Sequence, residues 1–412
     1  MFLKMLKSLR NSTASRFRTP GFGLLVRTNM KKPGFVLLVL LGFSIVFPWV
    51  NKFTQWIDNT NIENRSLANR PGFKDLGWNN YDSFPGKVDR WMSDKFGLRS
   101  EFMRLYGKMN LNVFQKSPLP RDVYFGKDGW MFFTGNELAT YNGYARFTEL
   151  ELDSFYRELN DRRAFCKSKG MEYYFVIFPA KQSTYGDLQP EAVIGLKRKN
   201  RTDILIEYLR ERDPSLRIVD TRSALIEARK NWNPIQVFYK TDNHWNPLGA
   251  WHGHAALVNQ MHRDGIRVKL PGNPKSSRYR LDKQEGYSGN LAQFTGLSGA
   301  LTEPKYWLVP LFERQAIPVP NYECETPQFS NAWEYQMRFN NKDTTLADIL
   351  FIRDSFGSDM INELAESCGR SLFIFDEWKY GMNTDWAERH KPDVMVNLVV
   401  ETHLENVLKK VR

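Results

Sequence analysis

Two short segments of this 412-residue chain hold residues whose types and spacing could perform covalent chemistry together. The first reads Tyr239-Lys240-Thr241-Asp242-Asn243-His244-Trp245-Asn246-Pro247-Leu248-Gly249-Ala250. A carboxylate two residues before an imidazole can reach its Nδ1–H through a tight turn or an extended pair, which fixes the tautomer and leaves Nε2 free to accept a proton. Taken alone, Asp-x-His is common and more often structural. The second segment, Leu350-Phe351-Ile352-Arg353-Asp354-Ser355-Phe356-Gly357-Ser358, is an apolar run ending in a serine with a glycine two residues on. A serine at the carboxyl end of a strand stands where open α/β sheets place their sites. The next helix N-terminus is expected to offer backbone N–H groups to a developing oxyanion. Ser355, His244 and Asp242 are thus the candidate nucleophile, base and orienting carboxylate; the alternative for Ser355 is a turn or cap hydroxyl. Ser358 reads as the N-cap of the following helix.

The elements that must position these residues follow from periodicity. Asn246 suits the cap of a helix whose first residue is Pro247, because that position needs no N–H. Asp242 and His244 then fall in the loop before it. Residues 149–170 read as helix, 172–178 as a strand covered on both faces, 201–212 as helix and 216–219 as a short strand. Residues 349–352, 371–375 and 394–400 read as strands, with a helix over 359–368. Helices between apolar strands predict a mainly parallel sheet with helices on both sides, a three-layer α/β domain. Residues 123–133 read as a hairpin, and 264–341 as a long, irregular insertion of the kind that binds or covers. A connecting region with one or two helices is expected over 53–120.

The formal charge of +12 is concentrated at one end. Lys4, Lys7, Arg10, Arg16, Arg18, Arg27, Lys31 and Lys32 precede residue 33 with no Asp or Glu among them, which leaves about +4 for the remaining chain. Residues 33–50 are uncharged and apolar, and eighteen residues at about 1.5 Å each give about 27 Å of helix, near the thickness of a bilayer core. No small-x-small cleavage site follows; the run ends in Phe47-Pro48-Trp49-Val50. The expectation is a basic cytoplasmic arm over 1–32, an uncleaved transmembrane anchor over 33–52 and everything later across the membrane. Cys166, Cys324 and Cys368 are too few for a disulfide scaffold, though a Cys324–Cys368 pair is open in an oxidising compartment. No P-loop, GxGxxG, HExxH or CxxC occurs, so nucleotide and zinc-protease readings have no starting material. His252 and His254 fall on different faces of the helix after Pro247, which argues against a metal pair.

Asp-x-His-Trp-Asn-Pro-x-Gly-Ala, followed about a hundred residues later by Arg-Asp-Ser-Phe-Gly, resembles the alginate O-acetyltransferase family, whose catalytic domain is SGNH-hydrolase-like. Glu63-Asn64-Arg65, Asp94-Lys95-Phe96-Gly97-Leu98-Arg99, Gly126-Lys127-Asp128-Gly129-Trp130, Phe178-Pro179-Ala180-Lys181 and Ser288-Gly289-Asn290-Leu291-Ala292 are similar to family elements in the same order. The resemblance implies an SGNH-like acyltransferase domain over 121–412, with Ser355 as nucleophile, His244 as base and Asp242 as orienter. It implies O-acetylation of an exported cell-surface polysaccharide in the periplasm or outside the cell. No cofactor is implied: the acetyl donor would come from a partner, a multi-pass O-acyltransferase of the inner membrane, and neither metal nor nucleic acid takes part. The family often carries an acidic residue where Asn290 stands, and no separate carbohydrate-binding module is expected. Asn290, with Gly289 beside it, is a candidate for oxyanion or substrate binding or for holding the insertion. Asn397 on the last strand and Lys181 after a strand end are candidates for the same site, and Arg353 for bracing the nucleophile turn or pairing with Asp354. An esterase acting on the same polymer, or a binding and assembly subunit with an idle triad, are the rival functions.

Overall fold

In a computed structural model of the chain, residues 32–54, 56–57, 67–72, 81–320, 336–376 and 378–408 are described. The basic arm before residue 32, Glu63-Asn64-Arg65 and Cys324 lie outside them. The chain divides into two units, residues 1–58 with 95–98, and the remainder.

In the first unit Lys32–Thr54 is one helix of 23 residues. Phe35, Leu37, Leu40, Phe43 and Val46 are among its exposed apolar side chains. Near its end the Asn51 amide donates to the carbonyls of Ile57 (2.9 Å) and Gly97 (2.9 Å) and accepts from the Ile57 N–H (2.8 Å). Counting only described residues, no helix is long and apolar enough to cross a membrane.

In the second unit the helices Phe84–Asp94 and Arg99–Met109 come first. Strands β1 (Val123–Phe125) and β2 (Met131–Phe133) then pair as the expected hairpin. The principal sheet is built from β3 (Glu172–Phe178), β4 (Ile218–Asp220) and five later strands. The intervening β5 (Tyr279–Tyr287) and β6 (Glu303–Pro310) form a separate antiparallel pair. The remaining strands are β7 (Ala316–Pro318), β8 (Gln336–Asn341), β9 (Ile349–Arg353), β10 (Arg370–Phe375) and β11 (Val394–Val400). Across the sheet the order is β4-β3-β11-β9-β10-β8-β7; the first five run parallel, and β8 and β7 are antiparallel additions at one edge.

The two-residue period of a strand explains the three layers. Tyr174, Val176 and Phe178 of β3 face one core with Ile349, Phe351, Val394 and Val396, under the helices Arg222–Trp232, Pro247–Arg263 and Ile361–Ser367. Tyr173, Phe175 and Ile177 face the other with Leu350, Ile352, Met395 and Val399, under Glu149–Ser168, Arg201–Arg212 and Thr384–His390. Both faces are apolar because both are covered.

The expectations change for the 264–341 stretch, for the helix start near 359 and for Ser358. The 264–341 stretch is not simply irregular: β7 and β8 extend the main sheet, and their polar, mixed sequences hide this because an edge strand gains its pairing from a remote partner, here β10. The helix expected from 359 begins as a 3-10 turn, Phe356–Met360, and becomes α-helical only at Ile361–Ser367. Ser358 does not cap it; its hydroxyl oxygen accepts from Arg353 (2.8 Å). Cys368 is buried, and burial pushes its thiol pKa up; its pairing with Cys324 falls on a residue outside the described ones.

The Pro247–Arg263 helix is capped as expected, with Asn246 Oδ1 accepting from the N–H groups of Leu248 (3.0 Å) and Gly249 (3.1 Å). It presses hard on the preceding loop. A Cβ at Gly249 would lie 2.2 Å from the Val237 carbonyl oxygen and 2.8 Å from Trp245 Cβ. Gly249→Ala is therefore expected to lower stability by about 1–3 kcal/mol in denaturant unfolding. Gly86→Ala, in a helix with nothing within 4 Å of the added carbon, is expected to be neutral or stabilising by up to about 1 kcal/mol.

Candidate active site

The loop between Phe238 and Asn246 lacks regular structure yet is largely buried, so its polar groups need partners from elsewhere. Lys181, buried at the first turn after β3, supplies three: its ammonium donates to the carbonyls of Tyr239 (3.2 Å), Lys240 (3.1 Å) and Asp242 (2.6 Å). Burial pushes its pKa down to about 7, against the pull of Asp242 and Glu303. Glu303, at the start of β6, takes the opposite groups, accepting from the N–H of Lys240 (2.7 Å) and, through its other oxygen, from the N–H and hydroxyl of Thr241 (2.7 and 2.5 Å). The Thr241 carbonyl accepts from the N–H groups of Leu291 (3.0 Å) and Ala292 (3.1 Å).

This held loop presents Asp242 and His244. Asp242 Oδ1 lies 2.8 Å from His244 Nδ1 and also accepts the His244 backbone N–H (3.0 Å). Its Oδ2 accepts from the Tyr287 hydroxyl (2.9 Å) and the Asn290 N–H (2.9 Å). Burial raises the Asp242 pKa, but the imidazole and these N–H donors outweigh it and hold the carboxyl well below its ordinary value. For His244 burial favours the neutral ring, and the Asp242 carboxylate, aided by Asp359 and Asp354, more than reverses this, so its pKa is raised. His244 Nε2 stands 2.9 Å from Ser355 Oγ. Phe356 packs beside the imidazole at 5.0 Å between ring centres.

Ser355 follows β9 in a turn held from below by Asp354, which is fully buried. Asp354 Oδ1 accepts from the N–H groups of Phe356 (2.9 Å) and Gly357 (3.3 Å); Oδ2 accepts from the Val400 N–H (2.9 Å) and the Tyr380 hydroxyl (2.9 Å). Trp245 ties the two segments together. Its indole N–H donates to the Phe356 carbonyl (3.0 Å), and its ring fills the space left by Gly253.

The remaining sequence candidates separate by position. Lys181 and Asn290 line the cleft over Ser355. Asn290 exchanges two hydrogen bonds with Asn243, accepting its backbone N–H (3.2 Å) and donating from Nδ2 to its side-chain oxygen, which leaves the second Nδ2 hydrogen for a ligand. Gly289 is not a ligand group: its N–H donates to Thr241 Oγ1 (2.9 Å), and its missing Cβ lets the chain pass against Asp242, which an added carbon would approach to 2.5 Å. Arg353 is buried beneath the turn, donating to the Asp354 carbonyl (3.2 Å) and Ser358 hydroxyl. Asn397 is corrected by strand parity: it faces the layer under Glu149–Ser168, where Oδ1 accepts from Tyr173 (2.8 Å) and Arg162 (3.1 Å). The 3-10 turn N-terminus is corrected as an oxyanion donor, since its first two N–H groups are taken by Asp354 and the Ser358 N–H by the Ser355 carbonyl (3.1 Å).

Periodicity gave no sign of Glu303, Tyr287 or Tyr380. Tyr287 stands one residue before the Ser288-Gly289-Asn290 segment, the signal that could have found it. The cleft encloses about 520 Å³ and is also bounded by Glu137, Gln182, Trp378, His403 and Asn406.

Residues 123–320, which include Asp242, His244 and Asn290 and end before Ser355, match the family model described as the SGNH hydrolase-like domain of the acetyltransferase AlgX. The chain is similar to a Pseudomonas fluorescens protein described as a probable alginate O-acetylase AlgJ, at 20% identity over 323 residues covering 75% of this chain and 74% of that one. Over residues 123–320, just under half of its length, the chain is similar to an SGNH hydrolase-like acetyltransferase domain. The structure of Bacillus cereus PatB1 shares the fold, at 15% identity and a TM-score of 0.50 over 69% of this chain and 97% of that one. Against the order usual in SGNH hydrolases, the serine here follows the Asp-x-His segment; geometry and role define such a set.

Two measurements check the site's construction. The His244 imidazole is expected to titrate above 6.5 in histidine NMR spectra and to fall in Asp242→Asn, which removes the charge that holds the proton. Trp245→Phe leaves the buried Phe356 carbonyl without its donor and is expected to cost about 1–3 kcal/mol of stability by denaturant unfolding.

Proposed function

We propose that this chain transfers acetyl groups to hydroxyls of an exported polysaccharide through an ester on Ser355. The observation that carries the reading is the unbroken line from Asp242 through His244 to Ser355, 2.8 and 2.9 Å, opening into a cleft. In the first step His244 Nε2 takes the Ser355 proton as Oγ adds to the donor's acetyl carbonyl. The tetrahedral intermediate expels the donor's oxygen, which leaves with that proton, and acetyl stays on Oγ. In the second step the same nitrogen takes a proton from a sugar hydroxyl, whose oxygen adds to the acetyl-serine; collapse returns the proton to Oγ and releases the acetylated sugar. Asn290 Nδ2 is the side-chain donor proposed for the oxyanion. Water in place of the sugar would make the same set an esterase.

The proposed setting is the outer side of the bacterial inner membrane. The apolar, exposed face of Lys32–Thr54 and the basic residues before it support an anchor with the catalytic unit outside. A partner then has to present acetyl there, and a multi-pass membrane O-acyltransferase fits that role.

The test is acetyl transfer from an acetyl ester to a polysaccharide by the full chain in detergent. Ser355→Ala is expected to lose at least about a thousandfold in rate, and equal turnover by the variant would remove the assignment. The base must be neutral to act, so kcat/KM is expected to fall as pH drops through the raised His244 pKa, placing the acid limb above pH 6.5. A rate independent of pH from 5 to 8 would exclude His244 as base.

A further inference from the structure

The cleft over Ser355 has a second wall that the acetyl-serine reading does not use. It is made by Glu137, from the short helix Gly135–Tyr141, and by Trp378, His403 and Asn406. Glu137 is half-buried, and among the described residues no other side chain donates a hydrogen bond to it. As a carboxylate it can only accept. Trp378 leaves 42% of its surface exposed and is braced edge-on against Phe375, with ring centres 4.9 Å apart. Opposite stand the amides of Asn290 and Gln182.

The cleft's positive charge is directed elsewhere. Among the described lining residues Lys181 is the single lysine or arginine, and its three hydrogens go to three backbone carbonyls. The nearby Arg201 faces away, donating to the carbonyls of Glu401 (3.4 Å) and Thr402 (2.8 Å) and pairing with Glu405 (2.8 Å). A sugar carboxylate entering beside Glu137 would give up water and meet that like charge, with no described lysine or arginine of the lining left to pair with it. Neutral sugar hydroxyls would find in Glu137 an acceptor and in the amides both donors and acceptors, and the apolar face of a ring would find the indole.

We infer that the glycan bound by this cleft is uncharged at the residue it presents, a neutral hexose or N-acetylhexosamine unit, and not a uronic acid. The inference rests on the acceptor-cleft reading above and narrows it to a substrate class. Burial raises the Glu137 pKa, with Glu405 adding to the rise and Arg201 opposing it, so the site already tolerates its one carboxylate at a cost that a second would increase.

Binding separates this inference from the chemistry. Full-length Ser355→Ala in detergent is titrated with cellohexaose, hexa-N-acetylchitohexaose and a mannuronate hexamer by calorimetry at about 0.15 M salt. At least one neutral hexamer is expected to bind ten times or more tightly than the uronate. Glu137→Arg is expected to close that ratio at least tenfold by admitting the uronate, while the isosteric Glu137→Gln keeps the preference for neutral sugar with weaker affinity. Uronate binding as tight as the neutral hexamers, or no binding of either neutral hexamer, overturns the inference. Acetyl-serine formation is followed separately on the unsubstituted chain by mass spectrometry: its absence alongside neutral-glycan binding sinks the transferase and leaves the cleft assignment standing.

Discussion

A carboxylate and imidazole paired on an irregular, buried loop keep their geometry only if that loop is as rigid as a strand, and the contacts around the site serve this constraint. Apart from the Tyr239 N–H, which donates to the His244 carbonyl (3.3 Å), the backbone polar groups from Tyr239 to His244 find their partners outside this loop's own backbone. They are met by Lys181 on their carbonyls, Glu303 on their N–H groups, and the 289–292 turn on Thr241. An unpaired buried amide costs on the order of 1–3 kcal/mol, so each contact selects against displaced arrangements of the loop. Positioning to a few tenths of an ångström is what the proposed proton transfer between Ser355 and His244 would require.

The second constraint is that the two halves of the site come from segments 111 residues apart in the chain. Asp354 fixes the nucleophile turn to β11 and to Tyr380, and Trp245 fixes the histidine loop to that turn. Tyr380 itself takes a left-handed backbone conformation (φ 50°), unusual for an aromatic residue, and Asp376 holds it by accepting its N–H (3.0 Å) and that of Gly381 (2.8 Å). Local backbone cost is accepted where it places a hydroxyl under the Ser355 turn.

The sheet's parity decides which polar residues can serve. Lys181 and Ser355 come just after the carboxyl ends of β3 and β9, at the rim where the cleft opens. Asn397, mid-strand on β11 and on the opposite face, becomes part of a buried cluster with Arg162 and Tyr173. Likewise the turn after Ser355 cannot offer its first N–H groups to an oxyanion, because the same Asp354 that makes the turn rigid already occupies them.

The primary structure by itself determined the parallel core, the Asn246–Pro247 helix start and the three candidate residues, because these depend on period-two and capping patterns and on pairings two residues apart. Tertiary structure alone decided that Ser355 and His244 meet across 111 residues. It also decided that Lys181 and Glu303 clamp the loop, that Gly289 and Gly249 act by the volume they omit, and that β7 and β8 join the main sheet. Each of those depends on distances between segments remote in sequence, and a local pattern carries no information about which distant backbone a buried charge will face.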